Sequence, residues 1–237
     1  MAGIGLFSAL DIAVSGMFVS QLATQTVNHN IANANTPGYS RQFLRIGSEM
    51  PLMMTYGSIG RGAESLGIAR AQNSFLQQQV VDQTSLLGDY STMDDTLRSV
   101  EEVLGGMETD HARTAMNDFF EAWQGLSLDT TSDGAREAAV GATANLARQF
   151  NQIDANLATM QRDALSSFDD YVTAGNELLR RIGELNGQIV SSTVGEQKPN
   201  DLLDQRQVLL DQLAEFMHFT TVDRGDGSID VDRKSVV

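Results

Sequence analysis

Residues 139–189 read AVGATANLARQFNQIDANLATMQRDALSSFDDYVTAGNELLRRIGELNGQI. Apolar or small residues recur here at steps of three and four, which is the spacing of one face of an α-helix. With a cap at Ser132 or Asp133, the pattern predicts a helix of roughly 55 residues, about 80 Å long. A rod of this length needs partners along its side. The recurring positions are Ala139, Ala142, Leu146, Phe150, Ile153, Leu157, Met160, Ala164, Phe168, Tyr171, Gly175, Leu178, Ile182, Leu185 and Ile189.

Two more helices are predicted upstream of this rod. A stripe with steps of four and three indicates a helix from about Ala69 to the pair Gly105 and Gly106, and consists of Leu86, Tyr90, Met93, Leu97, Val100 and Leu104. After a cap at Thr109 or Asp110, a shorter helix carries Met116, Phe119, Phe120, Trp123 and Leu126 on one side. We interpret this aromatic cluster as a core face, because its spacing is that of a buried helix side.

Downstream of the rod, the pattern changes from helical to alternating. Pro199 and Asn200 end one element and cap a last helix, which is lined by Leu202, Leu203, Leu209, Leu210, Leu213 and Phe216. Alternating apolar residues then flank Gly225, Asp226 and Gly227, which predicts a β-hairpin. Because one hairpin does not make a stable sheet, we expect the N-terminal piece of a longer protein, with a β domain begun here.

The N-terminal stretch predicts a helix with an apolar seam and a defined end. The seam comprises Leu6, Leu10, Ala13, Met17, Val27 and Ile31, completed by the weaker Ser20 and Thr24. At its end, Asn35 tolerates turn or left-handed geometry, Pro37 forbids helical continuation and Gly38 permits positive φ. Several glycines between Gly47 and Gly62 then indicate an extended arm or irregular loop.

Together these elements predict a mainly α fold, a long-helix coiled-coil-like bundle with an N-terminal assembly helix and the start of a β domain at its C-terminal end. We expect four segments: an assembly helix over 1–35, an extended linker over 36–68, a helix bundle over 69–217 and a truncated β domain over 218–237.

Composition limits the possible partners of the chain. Its 237 residues include 31 acidic and 16 basic side chains, for a formal net charge of −15, so binding to nucleic acid or to an anionic membrane surface is not expected. Cysteine is absent, which excludes disulfides and thiolate metal sites but leaves the compartment open. The N-terminus lacks the positive region of a cleavable signal, and 12–40 is uncharged but rich in amides, which we judge too polar for membrane insertion.

The sequence contains no pattern that indicates catalysis. His29, His111 and His218 are far apart and no HExxH motif occurs. The acidic hairpin fails as a calcium loop, because Val222 and Arg224 would stand at ligand positions if Gly227 took the sixth position. We therefore predict no enzyme, and no catalytic, cofactor-binding or metal site.

Residues 30–42 read NIANANTPGYSRQ, and this run resembles the N-terminal signature of bacterial flagellar axial proteins, most closely that of the FlgK family of hook-associated proteins. Rod and hook proteins carry a similar run. Two further stretches, 134–151 and 199–206, are similar to segments of the FlgK family in the same order. The matching positions at the helix stop are Asn30, Asn33, Asn35, Thr36, Pro37, Gly38, Tyr39 and Arg41, and those in the bundle are Asn200, Asp201, Leu202, Leu203, Asp204 and Arg206.

The resemblance implies a structural adaptor that joins hook to filament by axial helical assembly. It implies type III export without a cleaved signal and an extracellular position in the flagellum. The implied partners are further copies of the chain, the hook protein, the next hook-associated protein and the export apparatus. A lone helix with a weak seam gains little in water, so we expect it to stay mobile in the monomer until neighbouring subunits enclose it. Two alternatives remain open, a hook or distal rod subunit and a non-flagellar coiled-coil interaction module.

Overall fold

A computed structural model describes residues 3–55, 57–105, 111–193, 195 and 198–233. The described chain is mainly α-helical, as predicted, with short strand pairs between α1 and α2 and after α5. In chain order its elements are α1 (Gly3–Ala32), β1 (Gln42–Ser48), β2 (Leu52–Met54), β3 (Gly57–Ile59), β4 (Ala63–Arg70), α2 (Ser74–Gly105), α3 (His111–Leu128), α4 (Asp133–Ser192), α5 (Asn200–Ala214), β5 (Phe219–Asp223) and β6 (Ile229–Arg233).

The predicted rod is a single helix of 60 residues, α4. The hydroxyl of Ser132 accepts a hydrogen bond from the backbone N–H of Ala135 at 3.2 Å, so Ser132 is the N-cap. The predicted cap of α3, Thr109 or Asp110, lies outside the described residues. The C-terminal hairpin also forms as predicted, with β5 antiparallel to β6 and with positive φ at Gly225 and Gly227.

The segment 36–68, predicted as an extended linker or loop, contains paired strands. β1 pairs antiparallel with β4, from Gln42 opposite Arg70 to Ser48 opposite Ala63, and β2 pairs with β3. We call the β1–β4 pair the arm. The register shifts between Arg45 and Ile46, and this irregularity together with the glycines hides the alternation that would have indicated strands. The start of α2 moves accordingly from Ala69 to Ser74.

Asn73 provides the cap that fixes the start of α2. Its side-chain oxygen accepts hydrogen bonds from the backbone N–H groups of Phe75 at 3.0 Å and Leu76 at 3.3 Å. These bonds satisfy two of the amides that have no partner inside the helix. Only three residues separate the end of β4 from the start of α2, and Asn73 is the last of them.

The chain divides into two compact units. One unit comprises Met1–Leu86 with Gly175–Val237 and the other Leu87–Ala174, so α2 and α4 each contribute to both. The first unit has a hydrophobic core built from α2, α4, α5 and β5. Its buried members are Val81, Leu178, Ile182, Leu209, Leu210, Leu213, Ala214 and Phe219.

The second unit leaves much of its apolar surface exposed. Ala115 and Ala139 are buried, but Met116, Phe120 and Trp123 are exposed, which corrects their prediction as core residues. The aromatic side of α3 nevertheless contacts α4, because the indole N–H of Trp123 donates to the hydroxyl of Thr143 on α4 at 3.1 Å. Periodicity identified the face that a partner would cover, but not whether the described chain covers it.

Candidate functional site

The N-terminal helix α1 packs one face against the arm. Val19 and Thr26 on this face are buried. Near the turn of the arm, Gly62 has φ of +109°, and a Cβ at this position would collide with the hydroxyl of Ser15. The close approach of the arm to α1 therefore requires glycine at position 62.

The predicted assembly seam lies on another face of α1 and is uncovered. Leu10, Met17, Val27 and Ile31 are 58%, 73%, 53% and 69% exposed, and Ala13 is also exposed. The side chain of Leu6 lies outside the described residues. Large apolar side chains in a row, open to solvent, are typical of a surface that another protein covers.

By length and composition alone, α1 could also cross a membrane. The segment Phe7–Ala32 contains a window with a mean hydropathy of 1.3, of which 6% is buried, and this corrects the expectation that the stretch is too polar. One such helix near an N-terminus is weak evidence for a span, because core helices of soluble proteins and signal sequences pass the same test. Amides at Asn28 and Asn30 would be costly in a bilayer.

The end of α1 is built from successive turns. The backbone N–H of Thr36 donates to Asn33 at 2.9 Å, and that of Tyr39 donates to Thr36 at 3.2 Å. Gly38 has φ of +76°, as predicted, and a Cβ there would collide with Val208 of α5. Left-handed geometry at Asn35 is not observed, since every described residue with positive φ is glycine.

Asn30 holds the chain as it leaves the helix stop. Its side-chain oxygen accepts hydrogen bonds from the Tyr39 hydroxyl at 2.7 Å and from the backbone N–H of Gln42 at 2.8 Å. Its side-chain nitrogen donates to the backbone carbonyl of Gln42 at 2.8 Å. One amide therefore satisfies both backbone groups of the first residue of β1. Asn33 supports this arrangement by donating to the carbonyl of His29 at 3.0 Å.

The helix-stop motif and the bundle motif meet in the folded chain. Asp204 of α5 accepts the backbone N–H of Ser40 at 3.0 Å, and its second oxygen accepts a hydrogen bond from Arg70 at 2.7 Å. This ion pair is largely shielded from solvent, with side-chain exposures of 14% for Arg70 and 8% for Asp204. The neighbouring carboxylate of Asp201 accepts a hydrogen bond from the Gln42 amide at 2.9 Å. The two motifs thus form one hydrogen-bonded junction, which we call the stop–α5 junction.

Asn200 belongs to this junction instead of capping α5. Its amide donates to Gln42 at 3.2 Å and to the carbonyl of Ile68 at 3.1 Å, while Pro199 stands at the N-cap without a side-chain cap bond. The predicted cap at Asn200 is therefore wrong, because the side chain bonds the arm. Leu203 is buried and Leu202 is partly buried.

Arg206 extends the network to the C-terminal hairpin. Its guanidinium donates to Asn186 of α4 at 2.8 Å and to the carbonyl of Gly227 at 2.7 Å. Burial lowers the pKa of Arg206, and the nearby charge of Arg70 lowers it further. The hydrogen bonds from Arg206 compensate for the loss of water.

His29 and Tyr39 close the other side of the junction. The rings lie edge to face with centroids 5.5 Å apart, and His29 Nε2 lies 3.4 Å from an oxygen of Asp201. The pKa of Tyr39 is raised, chiefly by burial and further by the negative charges of Asp201 and Asp204.

Not every residue of the predicted motif takes part. Asn35 and Arg41 are exposed, and Pro37 is exposed on the turn. Sequence patterns did not indicate Gln42, Arg70 and Val208 as junction residues. Only Val208 had a local signal, because it follows Asp201 and Asp204 at steps of three and four, which places the three in a row on one side of α5.

Comparison with known proteins gives two family matches. Residues 97–235, more than half of the chain, match the flagellar hook-associated protein FlgK helical domain. Residues 10–39, which hold most of α1 and the helix stop, match the flagella basal body rod proteins.

Similar proteins carry the name flagellar hook-associated protein 1. The Bacillus subtilis (strain 168) protein is 29% identical over 218 residues, or 89% of this chain and 43% of the relative. The Salmonella typhimurium (strain LT2) protein is 28% identical over 208 residues, or 87% and 37%. The Escherichia coli (strain K12) protein is 27% identical over 212 residues, or 89% and 39%. The chain thus spans 37–43% of the length of these relatives.

The family match over 97–235 falls on the long helices α3, α4 and α5, which is consistent with a helical domain. The chain therefore belongs to the FlgK family of flagellar hook-associated proteins, a family of structural proteins of the bacterial flagellum.

Proposed function

We propose that this chain is a structural adaptor that joins the flagellar hook to the filament through axial assembly of many copies. The observation that carries the proposal is the uncovered seam of α1, in which Met17 is 73% exposed and Ile31 is 69% exposed. A helix with such an uncovered apolar seam is suited to burial among like helices.

The size of the hydrophobic gain indicates why several neighbours are needed. Full burial of one Leu, Met, Val or Ile side chain contributes about 1.5–3 kcal/mol. Association opposes this gain with about 4–15 kcal/mol of lost translational and rotational freedom. A contact with one neighbour through the four large exposed side chains of the seam is therefore weak, whereas a ring that buries α1 from several sides is stable.

The stop–α5 junction would transmit load between α1 and the rest of the first unit. Hydrogen bonds from Ser40 and Arg70 to Asp204 tie the exit of α1 and the arm to α5. Because α5 packs in the hydrophobic core through Leu209, Leu210 and Leu213, a force on α1 reaches that core through short bonds. The junction is therefore suited to a protein that carries load within a rotating axial structure.

We further propose type III export without a cleaved signal, and an extracellular location between the hook protein and the next hook-associated protein. The absence of cysteine supports passage in an unfolded state, because no disulfide closes a loop in the chain. Mass spectrometry of the protein isolated from flagella tests the export proposal. An intact N-terminus is expected, and a shortened one contradicts uncleaved export.

A hook or distal rod subunit is the main alternative, and the match of 10–39 to rod proteins favours this wider class. The match of 97–235 to the FlgK helical domain favours the adaptor. A non-flagellar coiled-coil module would have to use the exposed stripe of α4, which includes Phe150 and Phe168, to form a defined oligomer in solution. Analytical ultracentrifugation tests that alternative.

Deletion of the chromosomal gene decides between adaptor and subunit. Loss of an adaptor is expected to leave cells with normal hooks and no filaments, with filament subunits released to the medium. Loss of a hook or rod subunit would abolish hooks. Electron microscopy of isolated basal structures gives the answer, and normal filaments on the deletion strain would overturn the proposal.

Complementation then tests the seam itself. The wild-type gene should restore filaments, whereas Met17→Gln should restore few, because a polar amide replaces an apolar side chain that the assembly buries. The matched control is Leu128→Gln, at an 83% exposed residue that ends α3 and lies outside the seam. Full restoration by both variants would exclude the seam as the assembly surface.

A further inference from the structure

The single carboxylate of α1 lies within a row of large apolar side chains. Asp11 is exposed, and Phe7, Val14 and Phe18 of the same row are 69%, 56% and 61% exposed. The four residues follow at steps of four, three and four, which places them on one side of the helix, and we call them the Asp11 row. At about 100° per residue, this row lies about 100° around the helix from Val19, which packs on the arm, and is also separate from the seam.

Enclosure of α1 by neighbouring copies would bury this carboxylate. Asp11 is the only acidic residue before Glu49, and no lysine or arginine precedes Arg41, so copies of α1 offer it no lysine or arginine partner. Asp11 also forms no ion pair within the residues that the structure describes. Burial of an unpaired carboxylate is costly. A carboxylate between two phenylalanine rings is suited to a guanidinium, which binds carboxylates and stacks on aromatic faces.

One side of β1 presents arginines that are open to such a contact. Arg41, Phe43 and Arg45 are exposed at alternate positions, and Phe43 is 41% exposed. Gln42 between them is buried, and its side chain bonds Asp201 of α5. Because alternate residues of an extended chain share a side, the three exposed residues lie on the side of the arm that faces away from α5. We call them the outer face of the arm.

Arg45 has no acidic partner among the described residues. Glu64 lies on β4 across from the residue two positions after Arg45, and Asp223 lines the same cavity as Arg45, but neither forms an ion pair with it. Arg61 and Arg70 already form ion pairs of their own. Arg45 and Asp11 are therefore both without an ion pair in one copy of the described chain.

The arm runs back along α1 toward the start of the helix. Asn30 bonds the backbone of Gln42 at the start of β1, and Gly62, just before β4, lies against Ser15. Arg45 is three residues beyond Gln42, about 10 Å at 3.3 Å per residue, so it lies beside about residue 23 of the helix.

Asp11 lies about twelve residues further along α1, a distance of about 18 Å. This separation explains why the two side chains do not pair within one chain. A parallel neighbour displaced by about 18 Å along the helix brings its Asp11 beside Arg45, and because α1 is about 45 Å long, more than half of the two helices remains side by side. Arg41 lies further from Asp11 and would need a displacement of about 30 Å, which leaves only about a third of the helices in contact.

We propose that Arg45 of one copy binds Asp11 of a parallel neighbouring copy. This inference rests on the proposed axial assembly and names a contact within it. In this register Phe43, about 7 Å from Arg45 along β1, lies beside about residue 15 of the neighbour, between Val14 and Phe18 of the Asp11 row. Charge and apolar surface therefore match at the same displacement. Because the contact joins two different surfaces, its repetition generates a ring or a helical assembly.

Exchange of the two charges tests the pair. Complete genes that carry Asp11→Arg, Arg45→Asp or both are expressed in the deletion strain, and filaments are counted by electron microscopy. Each single substitution should lose most filaments, because like charges would meet in the contact. The double variant should regain them. The matched control combines Asp11→Arg with Arg148→Asp, at an exposed arginine of α4, and should remain defective.

The purified monomer distinguishes a contact between copies from one within a chain. Chemical denaturation should give the same free energy of unfolding for the wild type, both single variants and the double variant, because neither side chain forms an ion pair in the described monomer. If a single substitution destabilises the monomer and the double variant restores its stability, the pair lies within one chain and the inference is overturned.

Three results in cells would also overturn the inference. If both single variants form normal filaments, or if the double variant does not regain them, Arg45 does not bind Asp11, although the adaptor function stands on the deletion phenotype. If Asp11→Arg is rescued equally by Arg41→Asp, the register is wrong.

Immunoblots of the culture medium show whether Asp11→Arg leaves the cell. If this variant is retained, Asp11→Asn takes its place. Combined with Arg45→Asp, it should then give more filaments than Arg45→Asp alone, because the repulsion between two carboxylates is removed. No increase would overturn the inference.

Discussion

Asp204 accepts a hydrogen bond at 3.0 Å from the backbone N–H of Ser40, a residue 164 positions earlier in the chain. The contact joins the end of α1 to α5. Arg70 at the end of β4 bonds the other oxygen of the same carboxylate at 2.7 Å. One buried side chain therefore holds three segments at fixed positions.

Replacing Asp204 should destabilise the first unit. Asp204→Asn leaves the buried guanidinium of Arg70 without its charge partner, and such losses cost about 3–5 kcal/mol in buried pairs. Chemical denaturation monitored by circular dichroism measures the change. The matched control Asp232→Asn, at an exposed residue of β6, should have no measurable effect. Equal stability of the two variants would show that the pair is not important.

Asn30 should be required for the start of β1. Asn30→Ala removes three hydrogen bonds and leaves the backbone N–H and carbonyl of Gln42 unsatisfied, at about 1–3 kcal/mol for each buried group. We expect faster hydrogen exchange of the Gln42 amide, measured by NMR. Asn35→Ala is the control, because Asn35 is exposed on the same turn. Unchanged protection of the Gln42 amide in Asn30→Ala would contradict this role of Asn30.

Gly38 should not tolerate a side chain for two separable reasons. Gly38→Ala imposes left-handed strain of about 1–2 kcal/mol and a collision with Val208. The control Gly225→Ala carries similar strain at φ of +85° but meets no atom within 4 Å. Thermal unfolding should therefore show a larger loss for Gly38→Ala. The double variant Gly38→Ala with Val208→Ala, compared with Val208→Ala alone, should recover the difference, and no recovery would refute the collision.

Tyr39 should make stability fall at alkaline pH. Its pKa is raised in the folded state, chiefly by burial. Its contribution to the free energy of unfolding is therefore complete below the ordinary pKa of about 10 and is lost as the pH rises through the higher folded pKa. Tyr39→Phe should be less stable at neutral pH, because the bond to Asn30 is lost, and should show a smaller alkaline decrease. Tyr90→Phe, at an exposed tyrosine, should behave like the wild type. Parallel alkaline decreases in all three proteins would contradict the assignment.

The long helices were predictable because their periodicity persists over many turns. α4 begins at the predicted cap and ends three residues beyond the predicted Ile189. The strands of the arm were not predictable, because residues 49–62 separate β1 from β4 and their pairing has an irregular register. Local signals identify a helix reliably, whereas strand pairing depends on residues distant in the chain.

The junction shows the same limit at the level of single side chains. Both motifs were identified from sequence, as was the positive φ of Gly38. Their meeting through Asp204 and Ser40 was not, because no pattern in a single sequence specifies a contact across 164 residues. Exposure of Trp123 was missed for a related reason, since periodicity identifies a face and not its occupant.

The accessibility of position 17 in the monomer and in the assembled flagellum tests the account most directly. Met17→Cys introduces a cysteine into a stretch of 237 residues that has none, at a seam residue that is 73% exposed. We expect rapid maleimide labelling in the purified protein and strong protection in isolated flagella, with Leu128→Cys as the control for general access. Equally rapid labelling of position 17 in both states would contradict burial of the seam.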